Sequence, residues 1–315
     1  MHRSAVTIQQ VCAFTVLTVR KRKFSKQKFI TKGDFAWIFA CNCEGTEQLR
    51  NAFQINGGKT FMELVRVTME NIEKEHICCA ISNEKDPQVS SKKAWLRERF
   101  DEGLVFLKGN VRGKCFIEYL PAEYAWAPIE AEGYMYIDCF WVSGQFKGHG
   151  NANLLLDECI RDSKEKGRKG LCVLSSAKKM SFLSDPSYLK YKGFQVADTA
   201  ELFFELLYLP FDANASRPNF KPQVKSPHID EMGFVLYWTN QCPFNAKYAP
   251  LIEEAAKAQN IPFQSIHIDS KEKAQSAPAA VTSYALFYNG SYVTNEILSV
   301  AKFEKLVKKL TEVID

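Results

Sequence analysis

Nine residues constrain this chain more than any others: Ser143-Gly144-Gln145-Phe146-Lys147-Gly148-His149-Gly150-Asn151. Before them runs Tyr134–Val142, rich in aromatic residues and read as a strand. After them, Ala152, Leu155, Leu156, Cys159, Ile160 and Ser163 recur at helical spacing on one face. The order strand, glycine loop, helix places free backbone N–H groups and the positive end of a helix dipole at one point, which is the geometry of an anion site. Glycines at 148 and 150 let the backbone approach a phosphate closely, and Lys147 adds a mobile charge. No Gly-Lys-Ser/Thr closes the loop, and the three-glycine dinucleotide spacing is absent. The plain alternative is a glycine-bearing turn that holds nothing.

The surrounding pattern is α/β. Alternation from Met62 to Thr68 predicts a strand, and Thr68 is placed to cap a helix through Met69, Ile72, His76, Cys79 and Ala80. Residues 90–102 read as a helix with Trp95, Leu96 and Phe100 inward and Gly103 as its stop. Leu104–Lys108 and Lys114–Leu120 read as strands joined by a turn, and Gly170–Ser175 as a short buried strand.

These residues carry a resemblance. Gln145-x-x-Gly148-x-Gly150 matches the Gln/Arg-x-x-Gly-x-Gly coenzyme A pyrophosphate loop of the GCN5-related N-acetyltransferases (GNAT). Tyr188-Leu-Lys-Tyr191-Lys-Gly193-Phe194 is similar to the family's Phe-Tyr-x-x-x-Gly-Phe signature. The resemblance implies acetyl-CoA as the cofactor. It assigns Gln145, Phe146, Lys147, Gly148, His149, Gly150 and Asn151 to the pyrophosphate, and Phe140, Trp141 and Val142 to the pantetheine arm. It also implies a small-molecule or peptide amine as acceptor. The family's usual acid is a tyrosine four residues before the glycine, where this chain has Leu189, so Tyr188 and Tyr191 stand as flanking candidates. For the base, Asp138 lies on the strand and Glu130 and Glu132 lie before it. Each of these groups has an ordinary reading as a packed tyrosine or a solvated carboxylate.

Residues 208–232 carry Pro210, Pro218, Pro222 and Pro227 and read as a linker or a strap. A βαβ start follows: Gly233–Trp238, a helix with Tyr248, Leu251, Ile252 and Ala255 inward, then Ile261–Asp269. Ala285–Tyr288, Asn289-Gly290 and Tyr292–Val293 form a hairpin, and a last helix follows. Within this region Gln241-Cys242-Pro243-Phe244-Asn245 resembles the glutaredoxin Cys-Pro-Tyr-Cys loop, with Asn245 in place of the second cysteine. A cysteine at a helix start is expected to be exposed and its thiolate favoured, so Cys242 is a candidate reactive or catalytic thiol. The alternative is a relic in a domain that binds a substrate or partner. A GNAT acyl-CoA N-acyltransferase fold followed by a small thioredoxin-like domain resembles the YoaP-like family of bacterial acetyltransferases, over about Met62 to Asp315. The alternative functions are a thiol-disulfide or thiol-adduct protein centred on Cys242, and a non-catalytic acyl-CoA sensor.

The expected organisation is an acetyltransferase domain over 62–207, a linker over 208–232 and a thioredoxin-like domain over 233–315. The net charge of +5 comes from residues 1–61, with ten Lys/Arg against three Asp/Glu. The rest is slightly acidic, so no nucleic-acid partner is expected. Residues 1–61 read as a basic, accessory or non-native extension, with Met62 as the expected natural start. No apolar stretch reaches the roughly 18 residues of a membrane span, and no membrane partner is expected. No CxxC pair occurs among the ten cysteines, so no metal site is expected. Cysteines within apolar runs suit reduced thiols in a cytoplasmic protein.

Overall fold

A computed structural model of the chain describes residues 62–77 and 83–311. The expectations for residues 1–61, and for Cys79 and Ala80, lie outside the described residues. The elements are β1 (Leu64–Val67), α1 (Pro87–Phe100), β2 (Val105–Gly109), β3 (Cys115–Pro121), β4 (Ile129–Glu130), β5 (Tyr134–Val142), α2 (Asn151–Glu165), β6 (Gly170–Ser176), α3 (Pro186–Tyr191), β7 (Gln195–Thr199), β8 (Phe204–Pro210) and β9 (Asn219–Phe220). They continue with β10 (Phe234–Trp238), α4 (Asn245–Ala258), β11 (Phe263–His267), α5 (Lys271–Gln275), β12 (Tyr284–Tyr288), β13 (Ser291–Thr294) and α6 (Val300–Thr311). No helix among the described residues is long and apolar enough to cross a membrane.

Seven strands form one sheet in the order β1-β2-β3-β5-β6-β8-β7. Every neighbouring pair is antiparallel except β5 and β6. That parallel pair is short: it joins Tyr134–Ile137 to Gly170–Val173 and then ends. Beyond it β5 stays paired to β3, while β6 stays paired to β8. The sheet therefore opens between β5 and β6, leaving the β6-facing edge of residues 138–142 without a strand partner. On one face, Leu155, Leu156 and Cys159 of α2 and Leu189 of α3 pack on Met135, Ile137, Leu171 and Val173.

The second sheet has the order β11-β10-β12-β13, with β10 parallel to β11 and antiparallel to β12. This strand order is compatible with the thioredoxin-like body expected from the sequence. Its outer face packs under α4 and α6 through Ala249, Ile252, Ala256 and Phe303. The helix turns Ala249, Ile252 and Ala256 inward and leaves Leu251 38% exposed, which rotates the expected face. The inner face, with Val235, Ala285 and Phe287, joins the same cluster as Trp95, Phe116, Trp126 and Phe204 of the larger body. Tyr292 sets its ring edge-on to Phe204 at 5.6 Å. The two sheets thus share one apolar core. The expected linker starts late: β8 continues through Pro210, and β9 within that segment pairs with β4.

Local signals account for the frame of the site. Asp86 caps α1 by accepting from the Gln88 N–H at 2.9 Å, and Pro87 takes the first helical position; such a cap contributes about 1 kcal/mol. Where a helix was expected after Thr68, residues 69–74 form turns and Met69 is 55% exposed. Asn71 there binds the Thr68 N–H and the Arg66 carbonyl through its side chain, an arrangement that favours turns over helix.

Candidate functional site

Gly148 and Gly150 adopt φ of +79° and +81°, and a Cβ built on either would meet no atom within 4 Å. Neither glycine is needed for packing; each leaves an open approach to backbone N–H groups. Gly150 caps α2 without a side-chain acceptor for its first N–H groups, which therefore stay available. The loop is braced from behind. Asn151 is buried and donates its side-chain amide to the Phe146 carbonyl at 2.9 Å, and the Phe146 ring fills the space where a Cβ on Gly113 would fall.

A cavity of about 810 Å³ runs from this loop along the open edge of β5 to the second sheet. Phe140, Trp141, Val142, Phe146, Lys147, Gly148, Gly150 and Asn151 line it, as do Asp138, Tyr188 and Cys242. Gln145 and His149 are exposed on the loop and outside its lining. Tyr191 also lies apart: it is 84% exposed, because α3 turns Leu189 into the core and Tyr191 to solvent. Its place among the site candidates is therefore corrected. Tyr188, the preceding candidate, packs edge-on to Phe140 with ring centres 5.8 Å apart and donates to Asn153 Oδ1 at 3.0 Å. Burial, then Asp157, pushes its hydroxyl up to about 12.

Strand β5 carries a bulge at Asp138. Glu118 faces Cys139 and Tyr119 faces Ile137, so Asp138 has no partner on β3. The extra residue resets the alternation: Tyr136 and Cys139 share one face, while Ile137 and Phe140 share the other. Beside the bulge sits a group that sequence reading missed. Lys92 Nζ contacts both Glu118 carboxylate oxygens at 2.8 and 2.6 Å, and Trp95 Nε1 donates to the same carboxylate at 3.3 Å. Both charged side chains are essentially inaccessible. Such a pair survives burial only with close geometry and extra hydrogen bonds, which it has. Burial, and then the neighbouring Glu118, hold the Asp138 carboxyl well above the usual carboxylate range. The sequence offered one signal for Glu118: a lone acid among the apolar alternation of residues 115–120. Glu130 and Glu132 line no part of the cavity; Glu130 accepts from Asn219 at 2.7 Å.

On the far wall the expected thiolate is reversed. Cys242 is half-buried within an apolar cluster. Burial pushes its thiol up to about 11, and the backbone N–H of Phe244 offsets this only in part. Desolvation outweighs the helix-start effect, and the thiol stays protonated at neutral pH. Asn245 is fully buried and donates to the Thr239 carbonyl at 3.0 Å and to the Ser283 carbonyl. The residue in the resolving-cysteine position is thus a brace between two loops. No group of three or more metal-ligating side chains occurs among the described residues.

Known proteins resemble the chain in both parts. Residues 262–305 match the YoaP-like family. A Bacillus subtilis (strain 168) protein named uncharacterized N-acetyltransferase YoaP is 45% identical over 247 residues, which cover 78% of this chain and 98% of that protein. Among solved structures, a GNAT family acetyltransferase from Brucella melitensis in complex with acetyl-CoA is 15% identical, covering 50% of this chain and 92% of its own, with a TM-score of 0.32. PaiA N-acetyltransferase from Thermoplasma acidophilum, in complex with coenzyme A, is 15% identical, covering 48% and 100%, with a TM-score of 0.33. With the opened sheet, the glycine loop at a helix start and 45% identity across nearly the whole Bacillus protein, the chain belongs to the YoaP-like family of N-acetyltransferases.

Proposed function

We propose that the protein transfers an acetyl group from acetyl-CoA to a primary amine bound between the β5 bulge and the Cys242 loop. One observation carries the reading: a single cavity joins an uncapped helix start, an unpaired strand edge and the half-buried carboxylate of Asp138. The backbone N–H groups of residues 148–152 and Lys147 fit a pyrophosphate. The unpaired edge of Phe140–Val142 fits the amides of a pantetheine arm, which would lie along it as an added strand. Bound acetyl-CoA supplies an acyl group activated as a thioester.

The remaining chemistry belongs to the chain. In its ionised form Asp138 accepts the proton that the amine loses on attack; its raised affinity for protons makes it a stronger base than an ordinary aspartate. Glu118 holds that affinity high, and Lys92 anchors Glu118. Tyr188 protonates the departing sulfur and regains its proton from solvent. A backbone N–H at the opened end of β5 steadies the charge on the acyl oxygen. The domain bounds proposed from sequence keep the coenzyme loop and carboxylates in the first body and the opposite wall in the second. Thiol release from acetyl-CoA with a panel of primary amines tests the reading. Amine-dependent release with a stoichiometric N-acetyl product is the expected result; coenzyme binding without release for any amine would leave a coenzyme-binding protein instead.

A further inference from the structure

The second sheet reaches into the bulge itself. Gln241 Nε2 donates to the backbone carbonyl of Asp138 at 3.1 Å. That carbonyl belongs to the one residue that the bulge leaves without a partner on β3, and it lies beyond the end of the β5–β6 ladder. A carbonyl left unpartnered at such a place costs about 1–3 kcal/mol and lets the strand turn to find another donor. The loop that carries Gln241 is itself fixed: its N–H meets Thr239 Oγ1 at 3.4 Å, and Asn245 ties Thr239 to Ser283. Two further contacts tie the second body to the walls around the cavity. Thr282 donates to the Trp126 carbonyl, and Asn295 donates to the Ser181 carbonyl at 2.8 Å on the loop that lines the cavity mouth.

We infer that Gln241 is a positioning residue for acyl transfer, and that the thioredoxin-like body has exchanged dithiol chemistry for the task of completing the acetyltransferase site. Where a thioredoxin loop would present its cysteine pair, this loop presents an amide that pins the backbone of Asp138. The inference rests on the proposed role of Asp138 for its functional consequence, and on geometry alone for its structural one. A displacement of about 1 Å at a reacting group can lower a rate by about 100-fold, so a single hydrogen bond at this carbonyl has leverage over the rate.

The test compares Gln241→Leu, which removes the donor, with Gln241→Lys, which keeps one on a similar stem. Hydrogen exchange followed by mass spectrometry reads the peptide spanning 136–142 and, as a control, the loop 143–151. Thiol release from acetyl-CoA with the amine panel reads kcat and KM. The expected result for Gln241→Leu is faster exchange in 136–142 with no change in 143–151, a kcat lowered by about tenfold or more, and an unchanged KM for acetyl-CoA; Gln241→Lys recovers most of the rate. Unchanged exchange in 136–142 overturns the inference. So does faster exchange with wild-type kcat, or a loss of coenzyme affinity and melting temperature in parallel with the rate. If the wild-type protein releases no thiol with any amine, the proposed function fails, and exchange alone then decides whether Gln241 holds the bulge.

Discussion

Ala152→Asp separates a phosphate site from an empty helix start. Ala152 is the second residue of α2, half-buried, with its side chain on the cavity wall. For the helix, an acidic residue in the first turn is favourable by about 0.3–1 kcal/mol, since it meets the positive end of the dipole. The fold should keep or slightly gain stability. For a pyrophosphate over Gly148–Ala152 the same carboxylate is repulsive. One pair of unit charges about 5 Å apart costs about 3 kcal/mol at an effective dielectric of about 20 and about 0.8 kcal/mol in water. The loop glycines are exposed, so the penalty lies between these limits, about 1–3 kcal/mol, and coenzyme A affinity should fall about 5- to 150-fold. Ala152→Asn has the same shape without the charge and should stay within about twofold of wild type. Calorimetric titration at two ionic strengths is the assay; the gap between Asp and Asn should shrink with salt. Valine at Gly148 or Gly150 tests less, because both backbones have positive φ and strain alone would lower affinity. If Ala152→Asp binds coenzyme A as tightly as Ala152→Asn, no phosphate sits at this helix start.

Glu118→Gln should move the acidic limb of the rate profile to lower pH. The carboxyl of Asp138 is faced by Glu118 from β3, Lys92 and Arg99 from α1, and Tyr136 and Cys139 on its own strand, with Cys242 across the cavity. Glu118 raises its proton affinity while Lys92 lowers it. Removing the negative neighbour therefore lets Asp138 ionise earlier as pH rises; a limb that stays in place would assign the base elsewhere. Tyr188→Phe should lower kcat by about 100-fold, within the range of general acids, whereas Tyr191→Phe should leave kcat unchanged; equal effects would refute the distinction. With its thiol pushed up to about 11, Cys242 should alkylate at pH 7.5 at least about 100-fold more slowly than a free cysteine; a rate matching a free thiol would restore the thiolate reading. Residues 62–232 made without the second sheet should be insoluble or far less stable, because Trp126 and Phe204 would lose the cover of Val235, Ala285 and Phe287; a cooperative melt near that of the longer chain would show separate cores.

What sequence alone determined is local in origin. The glycines of 148 and 150 sit where a positive φ is needed, and the aromatic-rich run of Tyr134–Val142 followed by the helical period after Asn151 marks a strand entering a helix, so the strand–glycine loop–helix frame was legible from local pattern. The hairpin at Asn289-Gly290 and the βαβ start near Phe234 were legible for the same reason, since turn chemistry and periodicity act within a few residues. What tertiary structure alone decided depends on strands and loops far apart in the chain. The bulge at Asp138 is a property of the β3–β5 register, and no pattern within Tyr134–Val142 announces the residue at which alternation slips. Glu118 and Lys92 are 26 positions apart and become a pair only when α1 lies on β3. Cys242 looked reactive because helix-start position can be read locally; its burial cannot, and burial sets the sign of the shift. Gln241 meets Asp138 across 103 positions, a contact that exists because the inner face of the second sheet is apolar and buries against the first.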